Sequence, residues 1–259
     1  MRLDLGKSPA ASLLILCCAL GAGAACAQGP AVDVALVLAA DVSRSIDEGE
    51  FKLQRQGYAA AIMSPRVLKA IRAGAHGASA LCFVEWAGPS EEAVVVEWTV
   101  IADEESAAGF ADTLLKAPRS FSGRTAIGDG IDFAVSALAS SKLRAERRII
   151  DVSGDGNSNA GRLVLEARDD AVAKGITING LAIINELTGG EPGSFFFGHT
   201  HPPGGLPNYY RDNVIGGPGA FVMQVVNFDT FSEAITNKLL TEISSLTPGQ
   251  TATAQATKN

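Results

Sequence analysis

Cysteine is scarce in this sequence of 259 residues, and it is unevenly distributed. Cys17, Cys18 and Cys26 fall close to the N-terminus, which leaves Cys82 alone in the rest of the chain. A single cysteine cannot form an intrachain disulfide, so a domain built from the remaining residues must be stabilised by its core. Because Cys82 stands in the apolar run ALCFVEWA, we expect a buried and unreactive thiol.

Positive charge is also in short supply. The chain has 21 Lys and Arg against 28 Asp and Glu, a formal net charge of -7. No cluster of basic residues or row of aromatic side chains supplies the surface that neutralises phosphates in nucleic-acid complexes. Gly-rich phosphate-binding loops are missing as well, and no hydrolase triad can be assembled. We therefore expect no nucleic-acid partner, no nucleotide cofactor and no triad enzyme.

Residues 1–27 have the pattern of a secretory signal peptide. Basic residues near the start precede an apolar stretch too short for a membrane span, and the small residues ACA follow at 25–27. Cleavage there gives a mature chain from Gln28, and cleavage after residue 24 is the alternative. A lipid anchor at Cys26 is less favoured, because Gly23 stands where such signals have a larger aliphatic residue. We expect an exported protein, periplasmic or secreted, without a transmembrane segment in the mature chain.

Apolar strands and amphipathic helices alternate over residues 28–246, which predicts one α/β domain around a mostly parallel sheet. Two of the apolar runs, ALCFVEWA and AVVVEWTVI, are separated only by GPSEE, so we expect an antiparallel pair at one edge. The Gly- and Pro-rich stretch 185–207 predicts a long loop within the domain. Residues 247–259 predict a disordered tail.

The first buried strand ends in DVSRS, which spaces Asp41, Ser43 and Ser45 at every second residue. In an extended segment, residues two apart point the same way, so these three side chains can share one target. A second interpretation applies to Ser45, because Ser45 and Glu48 have the spacing of a capping box for the next helix. Both roles stay open for Ser45.

Two further oxygen donors occur at comparable places. Thr125 stands at the entrance of a predicted helix, and Asp155 follows the buried strand RRIIDV. Loops that leave parallel strands collect at one edge of the sheet, so all these side chains converge if the two strands are neighbours. Carboxylate and hydroxyl oxygens suit Mg²⁺, with Mn²⁺ or Ca²⁺ as alternatives, better than they suit zinc. The predicted metal ligands are Asp41, Ser43, Ser45, Thr125 and Asp155.

The motif D-V-S-R-S resembles the D-x-S-x-S signature of von Willebrand factor A (vWA) domains. Thr125 and Asp155 match the other two positions of that family's metal-ion-dependent adhesion site (MIDAS), and the overall pattern is similar to exported bacterial vWA-like proteins of unknown function. The resemblance implies a Rossmann-like α/β fold: a mostly parallel central sheet with one antiparallel edge strand and helices on both faces. It also implies a divalent cation that binds the carboxylate of a protein partner, and a role that is usually non-enzymatic.

Two other functions stay open at this stage. His199 and His201, in the loop 185–207, offer a general base for a metal-dependent hydrolase, although loop histidines are more often solvated. An exported structural domain that binds no metal is the third interpretation. The loop leaves the end of a predicted parallel strand, so we expect it to begin at the metal-bearing edge and to border the site.

Overall fold

The computed structural model describes residues 29–184, 199–226 and 230–244. The predicted signal peptide, the tail 247–259 and residues 185–198 of the predicted loop lie outside the described residues. Within the described ranges, no helix is long and apolar enough to cross a membrane.

Strands and helices alternate along the chain, as the apolar runs predict. The strands are β1 (Ala31–Asp41), β2 (Ser79–Trp86), β3 (Glu92–Ile101), β4 (Arg144–Gly154), β5 (Thr177–Ile184) and β6 (Val222–Val226). The helices are α1 (Glu48–Ile62), α2 (Pro65–Arg72), α3 (Glu104–Lys116), α4 (Ile127–Ser140), α5 (Val164–Ala173), the short α6 (Leu206–Tyr209) and α7 (Phe231–Ser244). A π-helical turn, Tyr210–Val214, directly follows α6.

The six strands form one sheet in the order β3-β2-β1-β4-β5-β6. All neighbouring pairs are parallel except β2 and β3, which are antiparallel, so the predicted hairpin at one edge is confirmed. The strand order reverses between β1 and β4: β1 is followed in the chain by β2 on one side of it, and β4 is followed by β5 on the other side. In open α/β sheets, ligands bind in the crevice at the carboxyl ends of the strands at such a switch point.

Helices cover both faces of the sheet, and β1 shows why. Its alternate side chains belong to two apolar layers: Leu36 and Leu38 pack in the layer that includes α1, α3 and α7, whereas Val37 and Ala39 pack in the layer that includes α4 and α5. A strand buried on both faces needs a continuous apolar run, which is what the sequence provides. Cys82 is fully buried, as predicted, and burial raises the pKa of its thiol to about 12, which disfavours the reactive thiolate.

Two local predictions were wrong. The cap of α1 is Asp47 and not Ser45: Asp47 Oδ1 accepts hydrogen bonds from the backbone N–H groups of Gly49 (2.6 Å) and Glu50 (2.8 Å), and Glu50 Oε2 accepts one from Asp47 N. The helix begins two residues later than the Ser45–Glu48 pattern requires, so Ser45 does not cap it.

The second correction concerns the predicted loop 185–207, whose last two residues already belong to α6. Pro at the second helical position is compatible with a helix start, because its missing N–H would have no partner there.

Candidate metal centre

The site lies where β1 and β4 end side by side. Ala40 is in register with Ser153, so Asp41 and Gly154 are the next neighbours along the two strands. A Cβ atom on Gly154 would stand 2.9 Å from Asp41 Oδ2 and 2.7 Å from the Tyr210 hydroxyl, so this glycine leaves room for both side chains. The expectation that the two strands are neighbours is confirmed.

The loop after β1 turns back on its own aspartate. The backbone N–H of Ser43 donates to Asp41 Oδ1 at 2.7 Å, and the Ser43 and Ser45 hydroxyls lie 3.2 Å apart. The Ser45 hydroxyl also donates to Asp155 Oδ1 at 2.6 Å. This chain of contacts brings the D-x-S-x-S motif and the loop after β4 to one point.

Thr125 joins the same edge through its backbone and its hydroxyl. The Thr125 N–H donates to Asn159 Oδ1 at 3.1 Å, and its carbonyl oxygen accepts from Asn159 N at 2.9 Å. Its hydroxyl lies 3.1 Å from His199 Nε2. A cavity of about 90 Å³ opens there, lined by Arg44, Ser45, Gly123, Arg124, Thr125, Asn159 and His199.

His199 is therefore a component of this edge, and the sequence-based preference for a solvated histidine was wrong. Its side chain is buried, and burial lowers the pKa of the imidazole. His199 Nδ1 lies 2.7 Å from Asn157 Oδ1, and the His199 carbonyl accepts a hydrogen bond from Asn157 N at 3.1 Å. His201, in contrast, contacts the hydroxyl of its neighbour Thr200 through Nδ1.

The carboxylates of Asp41 and Asp155 are buried, which disfavours their ionised forms. Burial is the main cause that raises the pKa of Asp41 well above its ordinary value, and the negative charge of Asp155 adds to it. Burial likewise raises the pKa of Asp155 to about 6, against the hydrogen bond from Ser45, which lowers it. Two buried negative charges that repel each other destabilise the folded protein unless a proton or a cation neutralises them.

The donor set fits a hard divalent cation. Asp41 Oδ2 is fully buried and has no hydrogen-bond partner among the described residues, so it is a carboxylate oxygen left with free lone pairs. Over the same residues, no three His, Cys, Asp or Glu side chains are close enough to hold an ion by themselves. An ion here would therefore need the hydroxyls of Ser43, Ser45 and Thr125 to complete its shell, as in an oxygen-rich Mg²⁺ site.

Arg119, which the sequence analysis overlooked, ties the loop after β1 in place. Its Nη2 lies within hydrogen-bonding distance of the carbonyl oxygens of Val42 (2.8 Å), Ser43 (3.0 Å) and Ile46 (2.8 Å). Its guanidinium also stands over the ring of Phe51 at 5.3 Å. One side chain thus satisfies three carbonyls of the loop that carries Ser43 and Ser45.

The segment that carries Arg119 is itself anchored by a buried ion pair. Arg55 contacts Glu85 Oε1 at 2.5 Å and donates to the carbonyls of Leu114, Ala117 and Pro118. Glu85 Oε2 accepts from Ser120 N at 2.9 Å. No sequence pattern links these residues, and nothing in the local sequence distinguishes Arg119 from other basic residues near Thr125.

Similar solved structures carry the vWA fold. A proximal thread matrix protein from the mussel byssus, solved with zinc at its MIDAS motif, is 16% identical over 82% of this chain and 46% of its own, with a TM-score of 0.55. The pilus adhesin SpaC from Lactobacillus rhamnosus GG is 13% identical over 82% and 30%, with a TM-score of 0.58. A von Willebrand factor type A structure from Catenulispora acidiphila is 16% identical over 82% and 43%, with a TM-score of 0.53.

These likenesses show that the chain has a vWA-like Rossmann fold, as the D-x-S-x-S motif predicted. The chain spans less than half the length of each of these three proteins. At residues 31–247 it matches the family model described as "Protein of unknown function (DUF1194)", and it belongs to that family. No curated protein matches the chain significantly.

Proposed function

We propose that this protein is an exported vWA-like domain that binds a divalent cation, most favourably Mg²⁺, and through it an acidic group of a protein partner. The observation that carries the proposal is Asp41 Oδ2, a fully buried carboxylate oxygen without a hydrogen-bond partner among the described residues, next to the second buried carboxylate of Asp155. A buried negative charge without compensation is destabilising, and a cation removes that cost.

The proposed ligands are of two kinds, charged carboxylates and neutral hydroxyls. Asp41 and Asp155 supply negative charge, whereas the hydroxyls of Ser43, Ser45 and Thr125 fill the shell without neutralising the ion further. A bound cation would then keep enough positive charge to attract a carboxylate from outside. The opening at residues 44–45 and 123–125 gives that carboxylate a route to the edge of the sheet.

The similar structures support the proposal at the level of the fold. One is a pilus adhesin and another was solved with zinc at a MIDAS motif, so this fold is compatible with a metal at this position and with adhesion. Export and the carboxylate-bearing partner rest on the N-terminal sequence and on the chemistry of the ligand set.

Thermal unfolding tests the cation site. Mg²⁺, Mn²⁺ or Ca²⁺ added after chelation should stabilise the native protein by about 4 kcal/mol at a thousandfold excess over the dissociation constant, which raises Tm by several degrees. Asp155→Asn should abolish the rise, whereas the exposed Asp112→Asn should retain it. A parent protein that responds to none of the three ions would rule the proposal out.

Binding of an outside carboxylate to the cation can be measured separately, by the relaxation of water protons. In the Mn²⁺-loaded protein, acetate should displace metal-bound water and reduce the relaxation of water protons, because an oxygen anion is a better ligand than water. Unchanged relaxation up to high acetate concentrations would leave a cation site that does not bind acidic partners.

A metal-dependent hydrolase stays the second candidate, because the structure brings His199 to the site. A histidine near a hydrated ion can act as a general base. This candidate requires turnover of a phosphoester or amide that disappears on chelation and in His199→Ala.

A further inference from the structure

His199 enters the metal centre from a part of the chain that the five-residue motif does not include. Thr125 and His199 are 74 positions apart, yet Thr125 Oγ1 and His199 Nε2 lie 3.1 Å from each other. His199 is only 6% exposed. A Cβ atom on Gly156, the residue after Asp155, would stand 2.3 Å from Nε2, so the imidazole occupies the space that this glycine leaves.

The contacts of the ring favour one tautomer. Nδ1 lies 2.7 Å from the amide oxygen of Asn157, closer than the 3.4 Å to the amide nitrogen of Asn159, which favours a proton on Nδ1. In that tautomer Nε2 has a lone pair directed at the Thr125 hydroxyl, where it can accept a hydrogen bond or bind an ion. Metal-binding histidines show this arrangement: one ring nitrogen donates to an oxygen and the other binds the ion.

The spacing within each of two donor pairs equals that of adjacent ligands of one ion. Adjacent ligands of an octahedral ion with bonds of 2.0–2.1 Å lie roughly 3 Å apart. The pair Thr125 Oγ1 and His199 Nε2 is at 3.1 Å, and the pair Ser43 Oγ and Ser45 Oγ is at 3.2 Å. The nitrogen is therefore spaced from the threonine oxygen as one ligand is from the next.

We propose that His199 Nε2 is a ligand of the cation bound at this centre, so that the site has one nitrogen donor beside its oxygen donors. The proposal rests on the proposed function, since it requires a cation held by the hydroxyls of Ser43, Ser45 and Thr125, with Asp41 and Asp155 supplying negative charge beside them. An imidazole favours transition ions over Mg²⁺ and Ca²⁺. The protein should consequently bind Mn²⁺ and Zn²⁺ more tightly than an all-oxygen site would, with Asn157 holding the ring in its binding orientation.

Pulsed EPR of the Mn²⁺-loaded protein tests the proposal directly. The parent and the neighbouring control His201→Ala should both show ¹⁴N coupling to the ion, and His199→Ala should lose it. Gly156→Ala keeps the imidazole but pushes it from its place, so the coupling should weaken there as well. Coupling that survives in His199→Ala would overturn the assignment.

Calorimetric titration gives the matching affinities. His199→Ala should lower the affinity for Mn²⁺ and Zn²⁺ about tenfold or more and change that for Mg²⁺ less than twofold. Equal losses for all three ions would contradict a nitrogen ligand. If the parent binds Mn²⁺ without ¹⁴N coupling, only the role of His199 fails; if the parent binds no cation, the proposed function fails as well.

Discussion

The Ser45 hydroxyl donates a 2.6 Å hydrogen bond to Asp155 Oδ1 and so joins two residues that are 110 positions apart in the chain. This bond connects the loop after β1 to the loop after β4 at the switch point of the sheet. It also has an electrostatic effect, since it lowers the pKa of Asp155 against the larger effect of burial. The contact therefore keeps Asp155 more easily ionised than burial alone would allow.

Ser45→Ala should weaken cation binding most at low pH. Without the hydroxyl, the pKa of Asp155 rises further above about 6, and protons compete more strongly with the cation. We expect a loss of about tenfold in Mn²⁺ affinity at pH 8 and a larger one at pH 6, measured by calorimetric titration. The exposed Ser136→Ala should behave like the parent. A loss independent of pH would show that Ser45 acts only as a ligand and not through the pKa of Asp155.

Asp41→Asn should stabilise the protein without metal and abolish its response to metal. Burial and Asp155 raise the pKa of Asp41, so its ionised form costs free energy near pH 8. The amide oxygen can still accept the hydrogen bond from Ser43 N, which keeps the local structure. We expect a gain of about 1–3 kcal/mol in the metal-free free energy of unfolding. A destabilised variant in denaturant titrations would contradict this view of the site.

Arg119→Ala should weaken cation binding although Arg119 is not a proposed ligand. Its loss leaves the carbonyls of Val42, Ser43 and Ile46 without their shared donor, so the loop with the hydroxyls is no longer held in one conformation. We expect about 2–3 kcal/mol of destabilisation and roughly tenfold weaker binding. The exposed Arg72→Ala removes the same charge and should change neither; an equal effect in both variants would point to long-range electrostatics.

A second buried charge cluster, on the face of the sheet covered by α7, predicts how stability depends on pH. Lys238 Nζ lies 2.7 Å from Asp151 Oδ1 and contacts Glu242, and all three side chains are buried. Burial lowers the pKa of Lys238, but the two carboxylates outweigh it and leave the pKa above its ordinary value. Burial raises the pKa of Asp151 from 3.8 to about 7.

Because the folded protein holds the Asp151 proton more tightly than the unfolded chain, the contribution of this group is present below about pH 4 and is lost as pH rises through about 7. Between pH 4 and pH 8, the parent should lose roughly 1–2 kcal/mol more of its free energy of unfolding than Asp151→Asn does. Asp112→Asn, at an exposed site, should keep the parent's pH profile. Parallel profiles for the parent and Asp151→Asn would show that Asp151 ionises normally.

Most of the fold could be predicted from the sequence because its signals are local. Runs such as VALVLAA are apolar without interruption, which only a strand buried on both faces requires, and the short GPSEE connection allows only an antiparallel pair. The cap of α1 was mispredicted because Ser45 and Asp47 are both good capping residues within one turn, and only the actual helix start decides between them.

The candidate site could be predicted only in part. The spacing of Asp41, Ser43 and Ser45 is itself the geometric information, since alternate residues of an extended segment face one way. Asp155 could be added because parallel strands bring their following loops to one edge, and Thr125 because it stands at a helix entrance and matches the third position of the motif. His199 was only one of two candidate bases in a loop expected to border the site, since that loop has no periodicity from which the position of a single residue can be inferred.

By itself, then, the sequence determined the α/β class and the parallel sheet with its antiparallel edge, and it predicted five oxygen-bearing side chains, four beyond strand ends and Thr125 at a helix entrance. Only the tertiary structure decided that Arg119 and Arg55 hold the loops around them, that one Asp41 oxygen is buried without a partner among the described residues, and that the His199 imidazole lies beside Thr125. The physical reason is that burial patterns repeat along a few residues, whereas these contacts depend on how loops tens of residues apart pack at the end of the finished sheet.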